Sequence, residues 1–258
     1  AQGGSTCAVR DGHLHLFNAG ADHDLGAIDA MPLTFAGSAR YNIGNIAAAT
    51  LAATALGMDA STIADLLSRF GSSHADNPGR LQQWNIGGIQ VLVDYAHNPD
   101  GLSALLDVVA PLRGEGRLGL VLGQAGNRED ADIRALAAAA AAFAPDRVML
   151  KDIAGYERGR APGEVAALLR DELARDGCVG DTVIECLDEF EAARSLLAWA
   201  RPGDILVLPI HAAEAREQVN ALLGETQGSG GRLTVKNQAA DGSEERPGES
   251  GGLREHGR

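Results

Sequence analysis

The chain has 258 residues and a formal net charge of −13, which disfavours nonspecific binding to nucleic acid. Its 45% hydrophobic residues supply enough apolar material for a globular core, although only 4% of the residues are aromatic. Three cysteines without a C-x-x-C spacing argue against a disulfide framework, and no apolar run is long enough to span a bilayer, so we expect a cytoplasmic protein without membrane contact.

The first 77 residues predict a hairpin followed by two helices. Asp11-Gly12 is a dipeptide that favours a tight turn between two strands. Gly57 ends an Ala-rich helix, and Asp59 is suited to capping a shorter one. The predicted strands are residues 5–10 and 13–17, the predicted helices are residues 41–56 and 61–70, and residues 71–77 form a polar loop.

From residue 80 onward the pattern predicts strands that alternate with helices. Alternation of this kind is typical of βαβ units, so we predict an α/β fold with a Rossmann-like, mostly parallel sheet and helices on both faces. The predicted strands are residues 81–85, 89–94, 118–122, 147–150, 182–186 and 205–208, and the predicted helices are residues 101–112, 131–143, 162–175, 189–200 and 212–223.

Composition and pattern divide the chain into three predicted parts. Pro78-Gly79 is a natural boundary between the first part, residues 1–78, and the second, residues 79–225. Residues 226–258 are rich in Gly, Ser, Glu and Arg and have few large apolar side chains. Such a segment buries too little surface to offset its ordering entropy, so we predict that it is disordered.

The most informative segment is the apolar run that ends at Asp94. Val91, Leu92 and Val93 predict a buried strand, and Asn98-Pro99 breaks it before the next helix. Open α/β sheets bind ligands at the carboxyl ends of their strands, so Asp94 is expected to face a crevice. The alternative is that Asp94 caps the helix that follows.

The hexapeptide Asp94-Tyr-Ala-His-Asn-Pro99, preceded by Pro78-Gly79-Arg80, resembles the start of the C-terminal domain of the Mur ligase family. Residues 128–134 and 151–164 are most similar to the cyanophycin synthetases of that family, and residues 32–45 resemble its helix with paired asparagines. The resemblance spans about residues 30–209. It implies that residues 1–78 are the end of a central ATP-binding domain and residues 79–225 the C-terminal domain.

The resemblance also implies an activity. Enzymes of this family are ATP-dependent amide ligases that convert a carboxylate into an acyl phosphate, which the amine of an amino acid then attacks. The expected cofactors of the complete enzyme are ATP and Mg²⁺, and the expected partners are amino-acid and carboxylate substrates, here an aspartate/arginine polymer. Whether the protein forms a homo-oligomer stays open.

The sequence lacks the glycine-rich phosphate loop G-x-x-x-x-G-K-[ST]. In the family this loop, a magnesium carboxylate and a modified lysine precede the element that matches residues 41–45, so we expect the chain to begin after all three. Two alternatives stay open. One is a ligase of peptidoglycan precursors, and the other is a non-catalytic module that binds a partner or forms oligomers.

Five residues are expected to contact ATP by resemblance. Arg80 would contact a phosphate, Asp94 the ribose, and Asn45 the adenine, with Asn42 on the same helical face. His97 would lie near the nucleotide. The alternatives are an exposed turn arginine, a structural histidine, and asparagines that satisfy the helix start.

A second group is expected to contact the amino-acid substrate. Arg158 and Arg160 precede the predicted helix that carries Glu164, and guanidinium groups beside a helix N-terminus favour a carboxylate. Arg128 joins them by resemblance, and the alternative for all of them is a solvated loop. The turn at residues 123–126 lacks the G-x-G-x-x-G spacing and is interpreted as a strand-to-helix turn near the substrate. We assign no catalytic residue and no metal ligand to this chain.

Overall fold

The protein is represented by a computed structural model that describes residues 4–229. It opens with an antiparallel sheet of three strands, β1 (Thr6–Arg10), β2 (His13–Asn18) and β3 (Ala21–Ala27), in that order. The turn at Asp11-Gly12 joins β1 to β2 as predicted, with φ of 51° and 82° at its two residues. The pattern did not predict β3, because its sequence ADHDLGA contains no β-branched residue.

Two helices cover this sheet, α1 (Arg40–Ala55) and α2 (Ala60–Arg69). The Asp59 side chain accepts a hydrogen bond from the Thr62 amide at 2.9 Å, as expected of a helix cap. One hydrophobic cluster joins the sheet to the helices. Its buried members are Leu14, Leu16, Leu25, Ile28, Met31, Ile46 and Ile63.

A six-stranded sheet follows, and it is mostly parallel as predicted. The strands are β4 (Gln82–Ile86), β5 (Ile89–Asp94), β6 (Leu118–Leu122), β7 (Arg147–Leu150), β8 (Val183–Glu185) and β9 (Ile205–Pro209). Their order across the sheet is β4-β5-β9-β6-β7-β8. The edge strand β4 pairs antiparallel with β5, and the other neighbours are parallel.

Helices cover both faces of this sheet. They are α3 (Pro99–Val109), α4 (Asp130–Ala141), α5 (Glu164–Arg175), α6 (Glu189–Trp199) and α7 (Ala213–Gly228). Alternate residues of one strand face opposite sides: Val207 joins the cluster under α3, α4 and α5, whereas Leu206 and Leu208 join the cluster under α6 and α7. A strand buried on both faces in this way reads as a continuous apolar run.

Several helix ends differ from the sequence-based expectation by one to five residues. Helix α5 begins at Glu164 rather than at residue 162, because Gly163 has φ of 79° and is therefore not helical. Helix α7 continues to Gly228 with Thr226 buried, so the first residues of the predicted tail are helical. The rest of that tail, residues 230–258, lies outside the described residues, and the domain boundaries at residues 78 and 225 stay predictions.

Within residues 4–229 no helix has the length and apolar character needed to cross a membrane. The feature that matters for function is the edge where parallel strands end. Because β5, β9, β6 and β7 are adjacent and parallel, the residues that follow them meet along one edge of the sheet.

Candidate functional site at the carboxyl edge of the sheet

A cavity of about 970 Å³, here called the large cavity, lies between the first helices and the end of β5. Its lining includes the apolar residues Leu33, Ile46, Ala49, Leu66, Leu67 and Phe70. The lining also includes all five residues that were predicted to contact ATP. These are Asn42, Asn45, Arg80, Asp94 and His97, all of which line the cavity. The structure therefore brings together five residues that span 56 positions of the sequence.

Asp94 is the most buried of these residues, with 8% of its surface exposed. Its Oδ2 accepts a hydrogen bond from the Leu81 amide, and its Oδ1 accepts one from the Ala96 amide, each at 2.8 Å. Burial raises the pKa of Asp94, although these amides and the nearby Arg80 favour the charged form. The carboxylate therefore fixes the turn before β4 to the end of β5.

Asp94 does not cap helix α3. That position belongs to Asn98, whose Oδ1 accepts from the Gly101 amide at 2.7 Å. The alternative of a capping aspartate is therefore wrong, because the carboxylate turns back toward Leu81 instead of forward into the helix.

Arg80 is exposed and lines the large cavity, and its side chain forms no hydrogen bond or ion pair with any described residue. Its guanidinium carbon lies 5.0 Å from the centre of the Tyr95 ring, and Arg216 lies 5.8 Å from the same ring. Gly79 makes this approach possible, since a Cβ there would lie 2.6 Å from the Arg216 side chain. Arg80 thus keeps all of its donors for an anionic ligand.

The two asparagines of α1 lie on one face, as the spacing predicted. Asn45 donates to Asn42 Oδ1 at 3.2 Å, and Asn42 donates to the Leu33 carbonyl at 2.8 Å. Neither side chain accepts from the first helical amides. Tyr41, beside them, has its pKa raised by burial and by the negative charge of Asp94.

His97 lies where two cavities meet, because it lines both the large cavity and a smaller one. Its Nδ1 is 3.0 Å from the Tyr95 carbonyl, and its ring meets the Tyr95 ring edge to face. The histidine is therefore held by local contacts, and its Nε2 has no hydrogen-bond partner among the described residues.

The smaller cavity has a volume of about 390 Å³ and contains two of the predicted substrate residues, Arg128 and Arg158; we call it the arginine cavity. Both arginines are exposed, and neither forms an ion pair with a described residue. Arg158 lies over the Tyr156 ring at 5.0 Å and has φ of 50°. The remaining residues of its lining are Tyr95, His97, Gln124, Ala125, Asn127, Ile153 and His211.

Arg160 and Glu164 do not line the arginine cavity. The Arg160 guanidinium donates to the Gly126 and Arg128 carbonyls at 2.9 Å each and to the carboxylates of Asp130 and Glu164 at 2.7 and 2.8 Å. Glu164 also accepts from the Ala161 amide at 3.0 Å. Arg160 therefore clamps the loop after β6, which carries Arg128, to the loop before α5, which carries Arg158.

A buried triad adjoins the arginine cavity through His211, which lines that cavity, and was not predicted. Lys151, which is fully buried, forms an ion pair with Glu189 and lies 2.7 Å from His211 Nδ1. Because an ammonium only donates, His211 accepts at Nδ1, and its Nε2–H donates to the Ala96 carbonyl at 3.0 Å. Glu189 also accepts from the His211 and Ala212 amides at 2.9 and 2.8 Å.

The electrostatics of the triad follow from its burial. Burial lowers the pKa of Lys151 to about 8, although the Glu189 charge opposes this. Burial also opposes the charge of Glu189, but the hydrogen bonds from His211 and Lys151 outweigh it and lower the pKa of Glu189 to about 2. Burial and the Lys151 ammonium lower the pKa of His211, so its imidazole is neutral.

A sequence signal for these residues existed. Lys151 directly follows the apolar strand β7, and His211 follows the apolar run of β9 by two residues. A polar residue at the end of a buried strand is the same pattern that singled out Asp94. This pattern does not identify the residue that pairs with Lys151, because Glu189 is 38 positions away in the sequence.

The fold and the cavities define the class to which the chain belongs: a Rossmann-like sheet with a ligand crevice at its carboxyl edge. Residues 79–209 match the family model described as Mur ligase, glutamate ligase domain. The chain therefore belongs to the Mur ligase family.

Two relatives illustrate the sequence similarity. A cyanophycin synthetase of Crocosphaera subtropica is 37% identical over 178 residues, which cover 69% of this chain and 20% of that protein. A UDP-N-acetylmuramoyl-L-alanyl-D-glutamate–2,6-diaminopimelate ligase of Corynebacterium efficiens is 31% identical over 217 residues, which cover 78% of this chain and 40% of the relative. The chain thus spans about a fifth of the length of the cyanophycin synthetase.

Two solved structures illustrate the similarity of fold. A murein peptide ligase of Psychrobacter arcticus has a TM-score of 0.59 at 17% identity and matches 88% of this chain and 45% of its own. A Mycobacterium tuberculosis folylpolyglutamate synthase complexed with ADP has a TM-score of 0.55 at 19% identity and matches 88% of this chain and 47% of its own. At sequence identities of 17% and 19%, the similarity to these two structures establishes the fold alone.

Proposed function

We propose that this chain forms the C-terminal portion of an ATP-dependent amide ligase of the cyanophycin synthetase type, acting in the cytoplasm on an aspartate/arginine polymer. The observation that carries the proposal is the large cavity, which unpaired Arg80, buried Asp94 and several apolar side chains line together. An adenine fits the apolar side chains, a ribose hydroxyl fits the carboxylate, and a phosphate fits the guanidinium. A fold neighbour complexed with ADP supports the same assignment.

In the proposed reaction the terminal phosphoryl group of ATP passes to a substrate carboxylate, and ADP departs. The amine of the incoming amino acid then attacks the acyl carbon, inorganic phosphate leaves, and the amine loses one proton. Arg80 would stabilise phosphate charge, Asp94 would hold the ribose, and Arg128 with Arg158 would bind the carboxylate of the amino acid. Enclosure between the two parts of the chain would exclude water from the acyl phosphate.

We assign no magnesium ligand to residues 4–229. Among residues 4–229 no three His, Cys, Asp or Glu side chains are grouped so that they could hold a metal ion. The proposed roles of this chain are therefore nucleotide and amino-acid binding, and no step is assigned to a metal held by it.

The test is nucleotide binding by the purified chain, measured calorimetrically with ADP and with adenosine. Arg80→Leu is expected to weaken ADP binding about tenfold or more, the equivalent of one charged hydrogen bond, and to leave adenosine binding unchanged. Arg175→Leu, which removes an exposed arginine of α5 far from the cavity, is the matched control. Equal losses for ADP and adenosine would contradict a phosphate role, and no ADP binding at millimolar concentration would favour the non-catalytic module.

A further inference from the structure

Gln124 lines the arginine cavity and is 3% exposed. Its Oε1 is buried and has no hydrogen-bond partner among residues 4–229. A buried acceptor without a partner is unfavourable, so such groups call for an explanation. Four other buried side-chain atoms in the described part of the chain lack partners, but their residues line neither the large cavity nor the arginine cavity: Thr50, Trp84, Arg147 and Asn220.

The orientation of the amide is fixed by its neighbour. Gln124 Nε2 donates to the His97 carbonyl at 3.2 Å. Exchanging the nitrogen and oxygen would place two acceptors opposite each other, which is unfavourable. The free atom is therefore the oxygen, and it requires a ligand that donates an N–H or O–H.

The backbone on both sides of Gln124 is closely packed. A Cβ on Gly123 would lie 2.4 Å from the Lys151 carbonyl, and one on Gly126 would lie 2.0 Å from the Glu157 carbonyl. Only glycines permit these contacts, and Gly126 also donates to the Tyr156 carbonyl at 2.8 Å. The turn is thus pressed against the neighbouring loop on both sides of Gln124.

The charges around the oxygen select the protonation state of a donor. The lining of the arginine cavity contains two guanidiniums, Arg128 and Arg158, and no carboxylate. His211 in the same lining is neutral. An ammonium ion there would face like charges without a counter-ion, whereas a neutral amine needs only an acceptor for its N–H.

We propose that Gln124 Oε1 accepts an N–H from the nucleophilic amine of the incoming α-amino acid, whose carboxylate pairs with Arg128 and Arg158. Gln124 is then a substrate-binding residue that orients the amine and favours its neutral, reactive form. This proposal rests on the amino-acid site of the proposed function and adds the group that recognises the amine.

The experiment compares amino acids with their amine-free analogues. The purified chain is titrated with aspartate and succinate, with glutamate and glutarate, and with arginine and 5-guanidinovalerate. At least one amino acid is expected to bind about tenfold more tightly than its analogue, the equivalent of one hydrogen bond. In Gln124→Leu this ratio is expected to fall to about one, whereas Gln218→Leu, which changes an exposed glutamine of α7 that lines neither cavity, preserves it.

A second readout counts protons. Repeating the titration in two buffers of different ionisation enthalpy is expected to reveal proton release for the amino acid and none for its analogue, because the site takes up the neutral amine. A wild-type ratio below about two, or a ratio that survives in Gln124→Leu, overturns the role of Gln124. Binding of the amino acid without proton release overturns the inference that the amine binds in its neutral form.

The wild-type ratio tests the proposal even if Gln124→Leu fails to fold. ADP affinity is measured on the same samples. In the wild type, a ratio near one with intact ADP binding refutes only the role of Gln124, whereas a ratio near one without ADP binding refutes the proposed function as well.

Discussion

Substituting the two charged members of the buried triad is expected to reduce stability by different amounts, because the charge that is left behind keeps different hydrogen-bond partners in the two variants. Lys151→Met removes the ammonium and keeps most of the buried aliphatic stem. Glu189 then still accepts from the His211 and Ala212 amides. Glu189→Leu instead leaves the Lys151 ammonium buried with only His211 and deprives both amides of their acceptor.

The magnitudes follow from these contacts. Breaking a buried ion pair costs about 3–5 kcal/mol when a charge is left without compensation. Because two amides continue to hold Glu189, we expect Lys151→Met to lower the free energy of unfolding by about 2–3 kcal/mol. We expect Glu189→Leu to lower it by about 4–5 kcal/mol, since it leaves an unpaired charge and two unpaired donors.

Urea unfolding of the wild type and both variants measures these differences, with the exposed Arg175→Leu as a control that changes stability by less than about 1 kcal/mol. Equal losses, or a larger loss in Lys151→Met, would refute the reasoning that backbone amides sustain the Glu189 carboxylate.

The pH dependence of unfolding provides an independent check. The pKa of Lys151 is about 8 in the folded protein and 10.5 is its ordinary value, so between these pH values the unfolded chain binds more protons and stability rises with pH. The pKa of Glu189 is lowered from 4.5 to about 2, so its contribution is present above pH 4.5 and is lost as the pH falls toward 2. In Lys151→Met the alkaline rise is expected to disappear.

Three further predictions concern the loops around the cavities. Asp94→Ala leaves the Leu81 and Ala96 amides without an acceptor, so urea unfolding should show that the free energy of unfolding falls by about 2–4 kcal/mol, and by less in Asp94→Asn. Unchanged stability would contradict the anchoring role of Asp94. Asn98→Ala removes the cap of α3 and should cost about 1 kcal/mol in the same assay, with no loss arguing against capping. Gly126→Ala forces a Cβ against the Glu157 carbonyl and should lower both the melting temperature and the free energy of unfolding, the latter by about 1–3 kcal/mol. Gly224→Ala, at a position with open space around it, should lower neither, and equal effects would refute the argument from close approach.

Local sequence patterns determined most of the fold. The alternation of apolar runs with helical periods predicted the mostly parallel sheet, because strands buried on both faces require uninterrupted apolar residues. The predicted strand at residues 89–94 matches β5. The helix ends were predicted less accurately. Helix α5 begins after Gly163, which has a positive φ. A glycine permits a positive φ, but the surrounding loop decides whether the residue adopts it, so the sequence alone does not predict it.

The sequence also identified Asp94, Arg80 and the two asparagines as residues that share one site, because each lies at a strand end, a turn or a helix start with a recognisable motif. The structure brings them to the same cavity. Their contacts with ATP stay predictions.

Only the tertiary structure decided which side chains are free and which are engaged. Arg158 and Arg160 are two positions apart and chemically alike, yet Arg160 is bound by four oxygens from residues 126–164 and Arg158 is open to the arginine cavity. The partners of Lys151 come from positions 38 and 60 residues away. Sequence patterns report the periodicity of neighbouring residues, whereas hydrogen-bond partners at such separations are set by how the strands order themselves in the sheet, and that order depends on packing across the whole chain.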